Sequence, residues 1–389
     1  MKIDKSSEVR FSEFKGNWLE YKLGELYTER KEKGQDSLPM LSVSIHNGIS
    51  DGELDIASLG KSVVRSEDKS LYKRVYPGDL VLNMMRAWQG AYGVVTSAGM
   101  VSPAYITATP GNQIYPPFMD YCLHRDEMVS QINNLSYGVT DFRKRLYWKS
   151  FIKISCLIPS IPEQKAITSF LIKVDKLILN YQQELTTLKK TKRGFLQKMF
   201  PKEGEAVPEV RFAGFSGEWN QRSLRELIER EKKGKAKLDS LGPGEVEYLD
   251  AARLNGGDPI LCGAVKDVYE DDILILWDGS KAGSVYHGFE GVLGSTLKAY
   301  TILEDADPSF VYQYLVFSQE NIFDRYRTPN IPHVIKDFTD AFNIPVPLYE
   351  EQIQIGNFFK QLDELIALQE KELDALKKTK KAFLQKMFV

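Results

Sequence analysis

Residues 159–200 read PSIPEQKAITSFLIKVDKLILNYQQELTTLKKTKRGFLQKMF, and residues 347–388 read PLYEEQIQIGNFFKQLDELIALQEKELDALKKTKKAFLQKMF. The two stretches align without a gap at an offset of 188, and 21 of the 42 positions are identical. Identity at this level over such a length indicates an internal duplication.

Each stretch has the spacing of a coiled-coil helix, because apolar residues recur at alternating intervals of four and three positions. About 37 helical residues at about 1.5 Å each span about 55 Å, so we expect the two copies to pack on each other as a spacer. The alternative is a pair of ordinary amphipathic helices on separate cores. Polar residues interrupt the seam at Lys192, Gln369 and Lys380. The apolar seam positions are Ile167, Leu171, Val174, Ile178, Tyr181, Leu185, Leu188, Phe195 and Met199, then Ile355, Phe359, Leu362, Ile366, Leu373, Leu376, Phe383 and Met387.

A second repeat extends the duplication to most of the chain. Residues 9–26 (VRFSEFKGNWLEYKLGEL) align with residues 210–227 (VRFAGFSGEWNQRSLREL), with nine of eighteen positions identical. We call these two stretches the opening segments. If a two-fold axis perpendicular to the helices relates the units, the helices run antiparallel and Phe388 lies near Val9, as Phe200 leads on towards Val210.

The sequence predicts an α+β fold with two similar globular bodies separated by a pair of long antiparallel coiled-coil helices. The predicted domains are 1–158 and 203–346 for the bodies, and 159–202 and 347–389 for the spacer helices. Short β-branched runs between turn glycines predict strands in both bodies. A helix is predicted at 118–135 in the first body and at 308–326 in the second.

Composition limits the class of protein. A chain of 389 residues is too long for one core, and it has no run of 18 apolar residues, so we expect a cytosolic protein. Residues 1–158 hold 20 basic and 18 acidic residues, 159–202 hold 9 and 3, 203–346 hold 15 and 25, and 347–389 hold 7 and 7. A protein that grips nucleic acid alone usually has a basic footprint. If this chain binds DNA, its basic residues are clustered on one face or partner subunits supply much of the phosphate contact.

No catalytic constellation stands out in the sequence. The three cysteines are far apart, and the four histidines form no HxxxH or HxE pair, so the sequence predicts no metal site and no catalytic residues. The acidic pair Asp271-Asp272 opens a strand and is interpreted as its solvated end.

Two loops in each body carry the residue types that contact bases and phosphates. Arg and Lys can reach guanine O6 and N7, and Gln can reach adenine N6 and N7. The alternative interpretation is an ordinary polar hairpin tip, with the aromatic residues beside the loops packed on the body. The basic run 189–193, repeated at 377–381, is either a solvated helix end or a partner or phosphate contact. The candidate DNA-binding residues are Arg86, Trp88, Gln89, Arg143, Lys144 and Arg145 in the first body, and Ser280, Lys281, Asn330 and His333 in the second.

Taken together, these features resemble the DNA specificity subunit of type I restriction-modification systems. The features are two variable bodies alternating with two long helices, a Pro-x-x-x-Glu-Gln pattern at Pro159 and Pro347, the LKKTKxxFLQKMF ends and the VRFxxFxGxW opening segments. The resemblance covers nearly the whole chain. The chain departs from the pattern at 348–350, where Leu-Tyr-Glu replaces Ser-Ile-Pro, and we expect the helix to start at the same place.

The resemblance implies a non-catalytic, sequence-specific DNA-binding subunit. Each body would read one half of a split double-stranded DNA target, and the helices would fix the unread gap at about one to one and a half turns of roughly 34 Å. Two methyltransferase subunits and two restriction/translocase subunits would be its partners. S-adenosylmethionine, ATP and Mg would belong to those partners, and adenine methylation would proceed there by base flipping.

Two other classes of function stay open on the residues alone. The acidic second body favours a coiled-coil scaffold that joins proteins without reading DNA. A nuclease or methyltransferase with an unrecognised site would use acidic residues such as Asp272 or Asp278.

Overall fold

The structure is a computed structural model, and it describes residues 7–35, 37–45, 48–51, 71–138, 143–328 and 332–389. The chain divides into two compact units. Unit 1 comprises residues 1–180 and 373–389, and unit 2 comprises residues 181–372. Each unit therefore contains one body, the first part of the helix that follows it, and the end of the other long helix.

The first body is built of short strands and helices. The strands are β1 (Leu19–Lys22), β2 (Tyr27–Glu29), β3 (Leu41–Ser44), β4 (Gly48–Asp51), β5 (Lys73–Val75), β6 (Leu80–Asn83), β7 (Tyr92–Val94), β8 (Gly99–Val101), β9 (Tyr105–Pro110) and β10 (Ser155–Ile158). The helices are α1 (Leu23–Leu26), α2 (Pro116–Leu123), α3 (Asp126–Leu135) and α4 (Trp148–Phe151), followed by the long helix α5 (Ile161–Met199).

The second body follows the same order. Its strands are β11 (Asn220–Ser223), β12 (Ile228–Lys233), β13 (Val246–Leu249), β14 (Ile260–Cys262), β15 (Ile273–Leu276), β16 (Val285–Tyr286), β17 (Val292–Leu293), β18 (Leu297–Ile302) and β19 (Asn343–Val346). Its helices are α6 (Ala251–Leu254), α7 (Pro308–Phe317), α8 (Gln319–Arg325) and α9 (Phe338–Ala341), followed by the long helix α10 (Tyr349–Lys386).

Both bodies are organised on one sheet topology. A four-stranded antiparallel sheet has the order β2-β9-β6-β7 in unit 1 and β12-β18-β15-β16 in unit 2. The opening segment pairs with the last strand of each body, β1 with β10 and β11 with β19. The remaining pairings differ: unit 2 has the sheet β14-β13-β17, whereas unit 1 has two separate antiparallel pairs, β3-β4 and β5-β8. The predicted α+β class and the shared architecture of the bodies are confirmed.

Two predicted helices are each divided in the structure. The stretch predicted at 118–135 forms α2 and α3, which are separated at Arg125 by an extended backbone (φ −72°, ψ 147°). The stretch predicted at 308–326 forms α7 and α8, with Ser318 ending one and preceding the other. A break lets both short helices turn apolar side chains into the core, as Cys122 and Ile132 do in unit 1. The prediction of single helices was wrong for this reason.

The seam of the long helices is buried as its spacing predicts. Within unit 1, Phe170 meets Phe383 edge-on at 4.8 Å between ring centroids. Within unit 2, Phe195 meets Phe358 in the same way at 5.1 Å. In each unit the contacting residue numbers rise on one helix as they fall on the other, so the helices run antiparallel there. The spacer residues Leu171, Val174, Ile178, Leu185, Leu188, Phe359, Leu362, Ile366, Leu373 and Leu376 are all buried or half-buried.

The two lysines that interrupt the apolar seam each form an ion pair with an aspartate of the other long helix. Lys192 donates to Asp363 at 2.6 Å in unit 2, and Lys380 contacts Asp175 at 2.5 Å in unit 1. Asp175 and Asp363 are themselves equivalent at the offset of 188. Each ion pair is therefore one copy of a repeated contact.

The Pro-x-x-x-Glu-Gln pattern connects each long helix to its opening segment. The guanidinium of Arg10 donates two bonds to Glu163, at 2.7 Å each, and Arg211 does the same to Glu351 at 2.6 and 2.7 Å. Both glutamates are almost fully buried, with 1% and 0% of their surface exposed. A buried carboxylate needs such a bidentate cation. The two motifs found separately in the sequence are thus the two halves of one contact.

The glutamine of the same pattern fastens the start of the helix to the body. Gln164 Nε2 donates to the carbonyl of Pro159 at 2.8 Å, and its Oε1 accepts the Tyr115 N–H at 2.7 Å. Gln352 repeats the first bond with Pro347 at 3.0 Å and accepts the Asp307 N–H at 3.0 Å. The helices begin at equivalent positions, Ile161 and Tyr349, so the substitution at 348–350 leaves the helix start unchanged.

The end of each long helix closes the core of the unit it reaches. In unit 1 the Phe388 ring stacks on Phe118 at 5.2 Å and lies edge-on to Trp18 at 6.1 Å. In unit 2, Phe200 contacts Phe310 and Trp219 at 5.6 and 6.3 Å. The Val9 N–H donates to the carbonyl of Lys386 at 3.0 Å, and the Val210 N–H donates to that of Lys198 at 2.8 Å. The predicted proximity of Phe388 and Val9 is therefore observed.

Candidate nucleic-acid interface

The first predicted loop follows strand β6 and is held by its own backbone. The Arg86 N–H donates to the carbonyl of Asn83 at 3.0 Å, and a short 3-10 turn spans Ala87–Gln89. Ala87 is fully buried and anchors the turn, whereas Arg86 and Gln89 are exposed. Gly90 completes the bend with a φ of +94°, a left-handed conformation that favours glycine.

The second predicted loop of unit 1 lies against the first. The Leu146 N–H donates to the carbonyl of Met84 at 2.9 Å, and the Leu146 side chain is fully buried. Arg145 is fixed by a pair of backbone bonds with Tyr137, at 3.0 and 3.1 Å. Between the loops, the ammonium of Lys144 lies 5.7 Å from the centre of the half-buried Trp88 ring.

The six predicted residues of the first body thus lie on two loops that the structure joins. Arg86, Gln89, Arg143 and Arg145 are exposed and carry the side chains that can reach base edges or phosphates. Trp88 is half-buried, and its Nε1 donates to the carbonyl of Met85 at 3.0 Å, so its one N–H donor is used inside the protein. Burial raises the pKa of the Tyr105 hydroxyl beside these loops, and a backbone hydrogen bond with Val43 and the charge of Arg86 oppose that rise.

The second body joins its two loops in the same way. The Val334 N–H donates to the carbonyl of Trp277 at 3.0 Å, which is the counterpart of the bond between Leu146 and Met84. The Gly279 N–H adds a bond to the carbonyl of Pro332 at 3.0 Å. In both units, the carbonyl of the residue just after strand β6 or β15 accepts a bond from the N–H of a buried aliphatic residue of the second loop. We call each pair of joined loops a two-loop surface.

Ser280, Lys281 and His333 lie on the two-loop surface of unit 2, whereas the predicted Asn330 lies outside the described residues. Ser280 and Lys281 are exposed. His333 is half-buried, with its Nδ1 3.0 Å from the hydroxyl of Thr328. The hydroxyl and the imidazole hold the two arms of this hairpin together, so part of the ring's bonding capacity is used inside the protein.

Sequence reasoning missed three residues of the second surface. The ammonium of Lys281 donates to Asn255 Oδ1 at 2.8 Å, and the Asn255 amide donates to the Tyr286 hydroxyl at 3.0 Å. The half-buried Arg327 lies over the Phe323 ring at 4.4 Å. The turn signal Asn255-Gly256-Gly257 was visible in the sequence, but its distance of 26 residues from Lys281 gave no indication of a contact.

The acidic pair before strand β15 is not a solvated strand end, at least at Asp272. Asp272 is 3% exposed, and its carboxylate accepts the Tyr269 N–H at 2.9 Å and the Thr301 hydroxyl at 2.6 Å. Asp79 makes the equivalent turn bond with the Tyr76 N–H at 2.8 Å. The sequence interpretation was wrong for Asp272 because the carboxylate closes a turn inside the fold.

Across the described residues, no group of three or more His, Cys, Asp or Glu side chains is placed to hold a metal ion. No described helix combines the length and apolar character needed to cross a membrane.

The second repeat matches a known family. Residues 216–378 match the model of the type I restriction modification DNA specificity domain. A stretch of 122 residues is 35% identical to the type I restriction enzyme MjaVIII specificity subunit of Methanocaldococcus jannaschii, and covers 31% of this chain but only 29% of that relative. The putative type I restriction enzyme MjaX specificity subunit of the same organism is 24% identical over 387 aligned positions, which cover 92% of this chain and 88% of the relative.

Two solved structures share the fold over nearly the whole chain. The crystal structure of a type I restriction-modification S subunit from M. genitalium superposes with a TM-score of 0.68 and 16% identity, covering 99% of both chains. A chain from structural work on complex assembly and conformational transition of the type I R-M system superposes with a TM-score of 0.55 and 15% identity, covering 95% of this chain and 97% of that one. At these identities the likeness establishes the fold.

Proposed function

We propose that this chain is a DNA specificity subunit of a type I restriction-modification system and that it reads a bipartite DNA target, one half with each body. Specificity subunits are the non-catalytic, DNA-recognising components of these systems.

One observation carries the proposal: the same two-loop surface is built on equivalent strands of both bodies, but with different side chains. The scaffold bonds are repeated, from Leu146 to Met84 and from Val334 to Trp277. The exposed residues are not, since Arg86 and Gln89 lie on the first-loop side in unit 1 and Ser280 and Lys281 in unit 2. A constant frame that presents variable polar tips is what two readers of different sequences require.

The long helices are proposed to fix the unread gap between the half-targets. Each helix is long, with 39 residues in α5 and 38 in α10. Their seam is continuous in both units and contains the paired charges at Lys192 and Lys380. A rigid pair of helices gives a defined length, because the rise per residue is constant at about 1.5 Å.

Catalysis is proposed to reside in partner subunits. Two methyltransferase subunits would bind S-adenosylmethionine and methylate adenine after flipping it out of the duplex. Two restriction/translocase subunits would bring ATP and Mg. Partners that close around the duplex would also supply phosphate contacts that the acidic second body lacks.

The test is selection of DNA from a random duplex library by the purified chain, with and without its methyltransferase partner, followed by sequencing of the retained DNA. We expect two short motifs separated by a fixed gap. Replacing Arg143, Lys144 and Arg145 with Ala should weaken binding by the assembled complex and reduce the slope of affinity against salt concentration. A charge-matched control, with Ala at the exposed Lys15, Lys153 and Lys173, should leave both nearly unchanged.

Transfer of residues 210–340 from a related chain should change one motif only. Failure to enrich any motif with the partner present would favour the alternative function, a scaffold that joins other subunits without reading DNA. The observation in favour of that alternative is the excess of acidic over basic residues in 203–346, 25 against 15.

A further inference from the structure

We propose that Asn255, supported by Tyr286, is a positioning residue that fixes the ammonium of Lys281 for reading a guanine in the second half-target. The inference rests on the proposed function and deepens it. The ammonium Nζ of Lys281 donates to Asn255 Oδ1 at 2.8 Å, across 26 residues of sequence.

The turn that carries Asn255 is rigid. Asp250 caps the start of helix α6, and its Oδ1 accepts the Arg253 N–H at 2.8 Å. Beyond the end of the helix at Leu254, Gly256 has a φ of +93°, and the Gly257 N–H donates to the carbonyl of Ala252 at 2.9 Å. Leu254 is buried in the small apolar cluster beneath the turn. Asn255 is exposed, but its backbone is anchored on both sides.

The side-chain amide of Asn255 uses both its nitrogen and its oxygen in hydrogen bonds within the protein. Both hydrogens of Nδ2 are donated, one to the carbonyl of Ala251 at 2.6 Å and one to the hydroxyl of Tyr286 at 3.0 Å. These two bonds set the orientation of the side chain and direct Oδ1 towards the lysine. Asn255 therefore has no free donor with which to read an adenine.

The backbone of Lys281 is anchored as firmly as its ammonium. The Ser284 hydroxyl donates to the carbonyl of Lys281 at 2.8 Å, and the Ala282 N–H donates to that of Gly279 at 2.9 Å. The Gln319 amide donates to the carbonyl of Gly283 at 2.7 Å and fastens the loop to helix α8. A lysine held at both ends has already lost much of its rotamer entropy before it meets a ligand.

This arrangement suits base reading better than phosphate binding. An ammonium has three hydrogens, so two remain after the bond to Asn255. Guanine presents two acceptors in the major groove, O6 and N7, and recognition by lysine depends on where the ammonium lies. A phosphate contact tolerates a mobile lysine and needs no asparagine to hold it.

The experiment compares the base preference at each position of the selected motif between variants, each assembled with the methyltransferase partner. The variants are Lys281→Ala, Asn255→Ala, Tyr286→Phe and the double variant Lys281→Ala/Asn255→Ala. We expect Lys281→Ala to reduce discrimination at one position of the second half-target by roughly 5- to 100-fold. Asn255→Ala should relax the same position by a smaller factor, and Tyr286→Phe by less again. The double variant should be no worse than Lys281→Ala alone, because Asn255 acts only through Lys281.

Three results would overturn the inference. Additive effects in the double variant would mean that Asn255 acts independently. Relaxation of a different position by Asn255→Ala would make it a reader of its own base. A uniform loss of affinity with a shallower salt slope in Lys281→Ala would place the lysine on a phosphate. Asn357→Ala, at an exposed position of α10, controls for nonspecific effects, and absence of any motif with the unmodified chain would refute the proposed function instead.

Discussion

At the scale of the residue, the most informative side chains are the charges inside the helix seam. The carboxylate of Asp363 serves two partners, since Oδ1 accepts from Lys192 at 2.6 Å and Oδ2 from the Gln313 amide at 2.8 Å. Asp175 repeats the role in unit 1 and accepts the Tyr121 hydroxyl at 2.6 Å. The aspartate thus connects the helix pair to the body in each unit.

Replacing Asp363 with Leu should lower the free energy of unfolding of unit 2 by roughly 1–3 kcal/mol. The physical reason is that the Lys192 ammonium, whose side chain is only 13% exposed, and the buried Gln313 amide both lose their acceptor, whereas the 38% exposure of Asp363 itself limits the loss. The double variant Lys192→Leu/Asp363→Leu should recover part of the loss, because an apolar pair fits a seam position. Urea unfolding followed by circular dichroism measures both.

The matched control is Glu370→Leu, which removes an exposed glutamate of the same unit that pairs with the exposed Lys189 at 2.6 Å. That change should cost no more than about 0.5 kcal/mol. Equal losses from Asp363→Leu and Glu370→Leu would show that the seam pair does not stabilise the unit.

His287 should make unit 2 less stable in acid. Burial lowers the pKa of this histidine, opposed by the nearby Asp271, and its buried Nε2 has no hydrogen-bond partner among the residues that the structure describes. In the unfolded chain the His287 imidazole has its ordinary pKa of about 6.5. As the pH falls, it is therefore protonated more readily in the unfolded chain than in the folded one. Stability is therefore full above that value and falls as the pH drops through the range between the unfolded and the lowered folded pKa.

The measurement is the unfolding free energy of the normal chain and of His287→Gln between pH 7.5 and pH 5. The variant should show a flatter dependence, because its side chain does not titrate, and other groups contribute equally to both proteins. Parallel curves would contradict the assignment.

At the scale of the element, the sequence predicted the features that repeat at a regular residue spacing. It missed the features that depend on contacts between residues far apart in the chain. The 3.5-residue spacing identified the seam, and every seam position is buried or half-buried. Lys192 and Lys380 looked like interruptions, because nothing local showed that an aspartate from the other helix would meet each of them. The divided helices at Arg125 and Ser318 were missed for a similar reason, since the break is set by packing on the core.

The predicted binding loops show the same limit. Residue type and turn position were enough to select Arg86, Gln89 and the 143–145 loop, and the structure joins them through Leu146 and Met84. The role of Asn255 required a contact across 26 residues, which no local pattern encodes. Their action on DNA stays a prediction.

Lengthening both long helices by one heptad should lengthen the unread gap of the DNA target. Seven residues at about 1.5 Å add about 10 Å, or about three base pairs at about 3.4 Å each. The insertions belong after Asn180 and after Glu372, where the chain passes from one unit to the other. An inserted heptad that continues the four–three spacing keeps the seam in phase.

Selection from a random duplex library measures the gap directly. The two motifs should be unchanged and their separation increased. A heptad in α5 alone is the control, and it should reduce stability and binding because the seam partners no longer match. An unchanged gap in the double insertion would rule out the helices as the ruler.

At the scale of the whole molecule, each opening segment makes the same contact with the end of a long helix. The chain could therefore connect its segments in a different order. The bond from Val9 to Lys386 repeats the bond from Val210 to Lys198, at 3.0 and 2.8 Å. In unit 2 the two partners are connected by the segment PKEGEAVPE at 201–209. The same nine residues could therefore connect Phe388 to Val9.

A circular permutant made in this way, with new ends at Gly204, should fold and select the same two motifs. Each unit keeps its core contacts, and the contacts that change belong to the connecting segments, such as the bond from the Glu205 N–H to the carbonyl of Lys202. The expected loss in unfolding free energy is small, about 1–2 kcal/mol, because a short loop is opened while another is closed. A permutant that folds but selects nothing would show that the covalent order matters for reading.

The closure of unit 1 by Phe388 sets an order of events during synthesis. The ribosome completes residue 180 about 190 residues before it reaches the segment 373–389 that finishes the same unit. At 5 to 20 residues per second, this interval lasts roughly 10 to 40 s. Over that time Trp18 and Phe118 lack the aromatic ring that covers them in the finished protein. Unit 2 receives Phe200 before its own body is made, so the body that is translated first is the last to be sealed.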